Sequence, residues 1–284
     1  MNKFHHSLLL RIPLLFGVMI LLCHVAVPFA SAGYFPVLPG GYSPFLKWPD
    51  LYGEVRLRPI LVQISSGKNS LPSRGFSWDL REDFGFDEPR LFVDTMIRWQ
   101  VGRISFRTHL EFREFTGNAD LIGTSASPRP VPRFEYTGFR FGGEFDIFQR
   151  NLTRVGLNID YEIFQGIFTE SIRTSGGGKK ISESGPITIG AHAVFSPQAH
   201  YYGVSGIVEG RARWSIHGGV NVTDWEVSAG IRSAETFLGS CALKGGFRQT
   251  HLEFRDHQMW NGVNVPGRFE AVLDGWFGEL VYYY

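Results

Sequence analysis

Residues 104–113 alternate without a break. Ile104, Phe106, Thr108, Leu110 and Phe112 fall on one side, and Ser105, Arg107, His109, Glu111 and Arg113 on the other. A period of two marks a β-strand with unlike faces. The same alternation recurs along the chain, and helical periodicity is weak after residue 50. It predicts ten strands, near residues 53–65, 89–100, 104–115, 134–148, 154–164, 187–196, 203–216, 219–232, 243–256 and 268–284, with eight or twelve as alternatives. Most reach the ~9–11 residues that a tilted strand needs to cross a bilayer. Tight connections at 101–103, 149–153 and 197–201 stand against long polar ones at 66–88, 116–133 and 165–185. A strand in a soluble sheet hides its apolar face. A strand in a lipid-embedded barrel turns that face outward and lines the interior with charge.

The two ends of the chain favour the second assignment. Trp276, Gly278, Leu280, Tyr282 and Tyr284 share one face of a last strand that ends on an aromatic residue. Terminal residues of soluble domains are usually frayed and polar, whereas the last strand of a barrel pairs with the first. This strand resembles the closing-strand signal of bacterial outer-membrane barrels. Its phase predicts Leu280, Tyr282 and Tyr284 toward lipid, with Phe277, Glu279 and Tyr283 toward the lumen. At the other end, Lys3 and Arg11 precede an apolar run from Ile12 to Ala30 and then Ala30-Ser31-Ala32. That order has the form of a secretory signal cleaved after Ala32. A spanning helix is the alternative, and Pro28 with the small-residue end favours cleavage. Leu22 before Cys23 argues against a lipoprotein. The expected organisation is a signal peptide (1–32), an N-terminal mature segment (33–51) and a transmembrane barrel (52–284).

Composition narrows the class. Removing residues 1–32 from 284 leaves 252 residues. The removed segment carries two basic residues and no acid, so 28 Lys+Arg and 27 Asp+Glu become 26 and 27. This balance carries no nucleic-acid footprint. Cys241 alone remains, which excludes an internal disulfide. Trp48, Trp99, Trp214, Trp225, Trp260 and Trp276 fall mostly near predicted strand ends, as aromatic girdles would.

Thr108-His109-Leu110-Glu111-Phe112-Arg113 recurs as Thr250-His251-Leu252-Glu253-Phe254-Arg255. If Leu and Phe face lipid in both copies, both His-Glu-Arg ladders face the lumen. Glu209, Arg211 and Arg213 join that lining, as do Asp94, Arg98, Asn158, Asp160, Glu162, Asp224, Glu226 and Arg232. A single-ion pore would favour one sign of charge; this mixture suits a filled small barrel. The couples His109/Glu111 and His251/Glu253 are the candidates for chemistry, with a structural charge ladder the preferred reading. No nucleophile stands beside a base in a recognisable pattern; Ser196 lies four residues from His192 and His200 but precedes Pro197. No metal site and no cofactor are expected. The carboxylates of 78–88 lack EF-hand spacing, and Gly176-Gly177-Gly178-Lys179-Lys180 lacks Walker spacing.

The segment Asp79-Leu80-Arg81-Glu82-Asp83-Phe84-Gly85-Phe86-Asp87, followed by a strand and then Arg103-Ile104-Ser105-Phe106-Arg107, resembles small Gram-negative outer-membrane β-barrel proteins of unassigned function, over about residues 76–165. Phe84 stands where that class has Leu. The resemblance implies fold and a place in the bacterial outer membrane. The expected partners are outer-membrane lipid, lipopolysaccharide and the barrel-assembly machinery. Three functions follow as expectations: a structural or narrow-pore, porin-like barrel without chemistry of its own; a lipid-modifying hydrolase with a lumen or rim His; and a surface adhesin or scaffold acting through its outer loops.

Overall fold

The computed structural model describes residues 51–71, 75–117, 133–150, 153–169, 179–181, 185–197, 204–217, 220–233, 239–260 and 263–284. The expected signal peptide, the 33–50 segment and Trp48 lie outside these residues. Twelve strands follow in chain order: β1 (Leu51–Leu71), β2 (Phe76–Asp79), β3 (Arg90–Val101), β4 (Ile104–Thr116), β5 (Arg133–Arg150), β6 (Thr153–Thr169), β7 (Lys179–Ile181), β8 (Ile187–Phe195), β9 (Val204–His217), β10 (Val220–Ser233), β11 (Ser240–Trp260) and β12 (Val263–Tyr283). All but the short β2 and β7 pair in sequence order, and β12 closes onto β1, from Glu54 opposite Tyr283 to Ser70 opposite Arg268. The result is a closed, ten-stranded antiparallel barrel. These are the ten strands that the alternation predicts, with β1, β6, β11 and β12 running several residues further at one end. That end carries the long connections and is called the loop end; the opposite one is the turn end.

Along the middle of the barrel the outward side chains are apolar and exposed, among them Phe106, Phe141, Leu157, Val208, Leu243 and Leu280. The inward ones are polar and buried, among them Arg98, Arg107, Glu144, Glu209 and Glu279. Toward the loop end the same parity holds but the chemistry exchanges. On β12 the inward positions pass from Glu279 to Leu273, Ala271 and Phe269, while the outward ones pass from Leu280 and Trp276 to Asp274, Glu270 and Arg268. The exchange falls at an outward aromatic row, Trp225–Phe247–Trp276, with ring centroids 5.5 and 5.0 Å apart. Above that row the barrel has the polarity of a soluble one. Its interior packs Ile60, Val62, Phe115, Phe134, Leu252, Phe254, Phe269 and Leu273 into one apolar cluster. A smaller cluster of Val194, Ile207, Ala242, Val281 and Tyr283 fills the turn end.

The loop-end cluster is completed by the loop between β2 and β3. Leu80, Phe84 and Phe86 plug the mouth, while Arg81, Glu82 and Asp83 stay exposed. The local sequence dictates this plug. Asp79 Oδ1 accepts from the backbone N–H of Arg81 and Glu82, as an N-cap does. Gly85, at φ +67°, permits the left-handed residue that ends the turn. Gly85 N–H then bonds Arg81 O and Phe86 N–H bonds Leu80 O, at 2.9 and 3.2 Å, which closes the turn. The acidic run is therefore a capped turn whose carboxylates serve its own backbone; Asp83 Oδ2 also accepts from Asp79 N–H. Gly67 on β1 seats the turn: Leu80 N–H bonds Gly67 O at 3.0 Å, and a Cβ at residue 67 would lie 2.5 Å from Leu80 Cδ1.

Leu80→Ala should lower stability to urea by about 2–5 kcal/mol, as a buried leucine truncation does. Glu82→Ala on the exposed side of the same turn should stay within about 0.5 kcal/mol of wild type. Paired unfolding curves check both.

Candidate functional site

The buried charges of the middle barrel form one connected lattice. Each stands there because strand parity aims it inward. Near the turn end, Arg56 bonds Glu54 at 2.6 Å and Glu209 at 2.8 Å, and Lys244 sits 2.7 Å from Glu209 and against Glu279. Arg58 reaches Glu226 at 2.6 Å and Glu279 at 2.8 Å. On the opposite wall Arg98 holds Glu144 at 2.7 Å, Arg107 bridges Glu144 and Asp160, and His192 Nε2 lies 2.7 Å from Asp146. Toward the loop end Arg213 joins Glu162 and Asp224, and Arg248 joins Asp224 and Glu111, each at 2.7–2.8 Å. Arg211 ties β9 to β5 through Glu144 at 3.3 Å. The lattice therefore crosses the lumen as well as lining it.

Inward glycines make room for these side chains. At Gly142 a Cβ would collide with Asp160 Oδ1 and Ile159 O, so the glycine clears the place where Asp160 meets Arg107. The neighbouring Gly143 faces out, and its Cβ would meet nothing closer than Ser105 O at 3.8 Å.

Of the residues expected in the lumen, Arg107, His109, Glu111, Arg113, Glu209 and Arg213 are buried and inward, and Arg211 is nearly so. Asp94, Arg98, Asn158, Asp160, Glu162, Asp224 and Arg232 lie inside with them, as does the partly buried Glu226. Phe277, Glu279 and Tyr283 face in and Leu280 faces out; Tyr282 and Tyr284 are half-buried.

The second His-Glu ladder is a correction. His251 and Glu253 point outward, and Leu252 and Phe254 are the inward residues. The inference from the repeat took Leu and Phe as the lipid face in both copies. The second copy lies above the aromatic row, where the inside is apolar. Lys244, Arg248 and Thr250 share the parity of Leu252, and carrying that phase along β11 gives the right answer. The side chain of Arg255 lies outside the described residues. Parity also finds lattice members that the repeat does not: Glu54, Arg56, Arg58, Arg140, Glu144, Asp146, Lys244 and Arg248.

Besides His192, two further histidines lie beside carboxylates. His251 Nε2 lies 3.2 Å from Glu270 on the outer face. His109 lies 3.3 Å from Glu111 and 3.9 Å from Asp94, and one ligand atom from each of the three falls within 4.8 Å of the others. That spacing would suit a metal ion. The carboxylates are already engaged, however: Arg113 holds both oxygens of Asp94, and Arg140 and Arg248 hold Glu111. A dication there would face three guanidinium groups, so the cluster is a node of the ion-pair lattice. Interior cavities are small, about 30 Å³ amid the lattice and about 10 Å³ at each end of it.

No family model and no curated protein matches the chain. Among solved structures it is similar to the outer-membrane protease OmpT of Escherichia coli, at 10% identity and a TM-score of 0.40 over 83% of this chain and 97% of that one. It is similar to a Pseudomonas aeruginosa FadL homologue at 8% identity and 0.30, over 82% and 89%. It is also similar to Neisserial surface protein A at 9% identity and 0.26, over 82% and 96%. These neighbours are outer-membrane β-barrels of Gram-negative bacteria.

Arg248→Ala should cost about 1.5–3 kcal/mol, because it takes one guanidinium each from Asp224 and Glu111 and leaves them with Arg213 and Arg140. Arg268→Ala on the outer face, where Arg268 pairs with Glu253 at 3.0 Å, should cost about 0–1 kcal/mol. Gly142→Ala should cost about 1–3 kcal/mol by overpacking while Gly143→Ala costs under 1. Urea midpoints of the four variants check the set.

Proposed function

We propose that the chain is a Gram-negative outer-membrane barrel that stays shut, a structural anchor without chemistry of its own that holds an ordered outer platform above the bilayer. The observation that carries this reading is the filled interior: a paired charge lattice between two apolar layers. A porin-like role needs a continuous column of water. Cavities of about 30 and 10 Å³ hold roughly a water or two each. The membrane setting is supported by the outward band. Leaving that many Phe, Leu, Ile and Trp side chains in water would forfeit about 1.5–3 kcal/mol for each, whereas hydrocarbon suits them. The Trp225–Phe247–Trp276 row suits an interface, and the long connections suit the outer side, so this reading has the loop end outside and the polar collar above the lipid headgroups. Lipopolysaccharide and outer-leaflet lipid are then its lateral partners, and the assembly machinery its route in.

Planar-bilayer recordings from folded, inserted protein at several salt concentrations test the reading. The expected trace is flat. Stepwise conductance that scales with salt would overturn it.

A further inference from the structure

The largest interior space, about 30 Å³, lies in the charge lattice, and its lining residues all belong to strands of the ring. It exceeds the ~10–15 Å³ that one water needs. Arg56, Arg58, Arg107, Arg140, Arg211 and Arg213 line it. The carboxylates in the same wall are already held: Asp94 by Arg113, Asp224 by Arg213 and Arg248, Glu226 by Arg58, and Glu279 by Arg58 and Lys244. Two of the arginines keep a donor with no acceptor. Arg211 directs Nε to Glu209 at 2.8 Å and Nη1 to Glu144 at 3.3 Å. Arg213 directs Nε to Asp224 at 2.8 Å and Nη1 to Glu162 at 2.7 Å. Nη2 of each is buried and bonds nothing, whereas no buried carboxylate oxygen among the described residues is left in that state. An unmet buried donor is costly, and more so on a charged group. The described interior is also one anion short: eleven basic and ten acidic side chains are buried, and the partly buried Arg211 and Glu226 add one to each.

We propose that this cavity holds one small monovalent anion, a halide, bound by the free N–H groups of Arg211 and Arg213 as an internal counter-ion of the lattice. A halide only accepts hydrogen bonds, and it accepts several at once without a preferred angle. A water would also accept there, but it brings two O–H groups of its own and no charge. Phosphate and other oxyanions outsize the cavity. The ion arrives without its hydration shell, and guanidinium donors take the place of that shell. It needs no way in through the finished wall, since the ring closes around it when β12 meets β1. The site goes beyond the shut-barrel reading and does not rest on it: it needs the donors and the cavity alone.

Bromide is the probe. Wild-type protein is refolded from urea and crystallised with bromide as the sole halide, and anomalous diffraction is collected at the bromine edge. One bromide peak is expected in the cavity, within hydrogen-bond reach of Arg211 and Arg213. Met96 provides the variants, because it lines the same cavity with Sδ 3.9 Å from Arg211 Nη1. Met96→Glu sets a carboxylate of about methionine's length beside the free donors and should lose the peak. Met96→Gln, of the same length without the charge, should keep it. In solution, chloride is raised tenfold against isethionate at constant ionic strength. The folding constant of wild type and Met96→Gln should rise by up to tenfold, and that of Met96→Glu should stay unmoved. A wild-type cavity without a bromine signal overturns the proposal, whether water or nothing stands there. A chloride response that Met96→Glu keeps in full overturns the cavity as the site. Should Met96→Glu fail to fold, the wild-type and Met96→Gln maps decide between a bound halide and none.

Discussion

Each charge inside this barrel has to find an opposite charge inside it. The cavities among the described residues, about 30 and 10 Å³, are too small to hydrate an ion, and a lone buried carboxylate or guanidinium costs several kcal/mol. The partners are rarely neighbours in sequence. Arg56 takes Glu209 and Glu279 from 153 and 223 residues away, and Arg248 takes Glu111 from 137 away. The lattice thus fixes circumference and stagger together, because sliding one strand by two residues would unpair several ions at once. Paired charge is a weak source of net stability compared with well-packed apolar side chains. Its contribution here is to permit one arrangement of the sheet and penalise the neighbouring ones.

One alternation serves three environments. Period two turns alternate residues inward from β1 to β12, and what occupies those positions changes with height: apolar at the turn end, charged in the middle, apolar again at the loop end. The outward positions stay apolar from the turn end, at Ile104, Phe145, Phe195 and Val204, through the middle, and become polar only toward the loop end. A bulge between Ile64 and Ser66 absorbs an extra residue in β1. Gly67 therefore still faces in beneath the capped turn, and Lys68 still faces out opposite Glu270.

The fold was legible in the sequence because alternation is local and each strand carries it independently. Strand ends were less so: β1, β11 and β12 rise above the aromatic row, where their alternation continues without an apolar outer face to mark it. The lattice was half legible. Arg107, His109, Glu111 and Arg113 follow from parity within one strand, but the partner that each chooses depends on closure of the ring. His251 and Glu253 face out although a lipid-facing Leu252 and Phe254 would turn them in, because hydrophobicity is not by itself a direction. It names a direction only once the surrounding solvent is known, and that solvent differs above and below Trp276. The segment from Asp79 to Phe86 hid its role for a related reason. Its charges drew attention to ion binding, whereas Asp79 and Asp83 act on the backbone and the three apolar residues do the filling.

The meeting of Glu54 with Tyr283 also imposes an order in time. Among the described strands β1 is made before the others and β12 after them, so the ring closes only once both are present. Pairs between neighbouring strands, such as Arg213 with Asp224, can form with each hairpin, whereas pairs that cross the ring, such as Arg56 with Glu209 and Arg248 with Glu111, wait for closure. Contacts of such long sequence separation form slowly. The ring-crossing pairs are therefore the last part of the lattice to assemble.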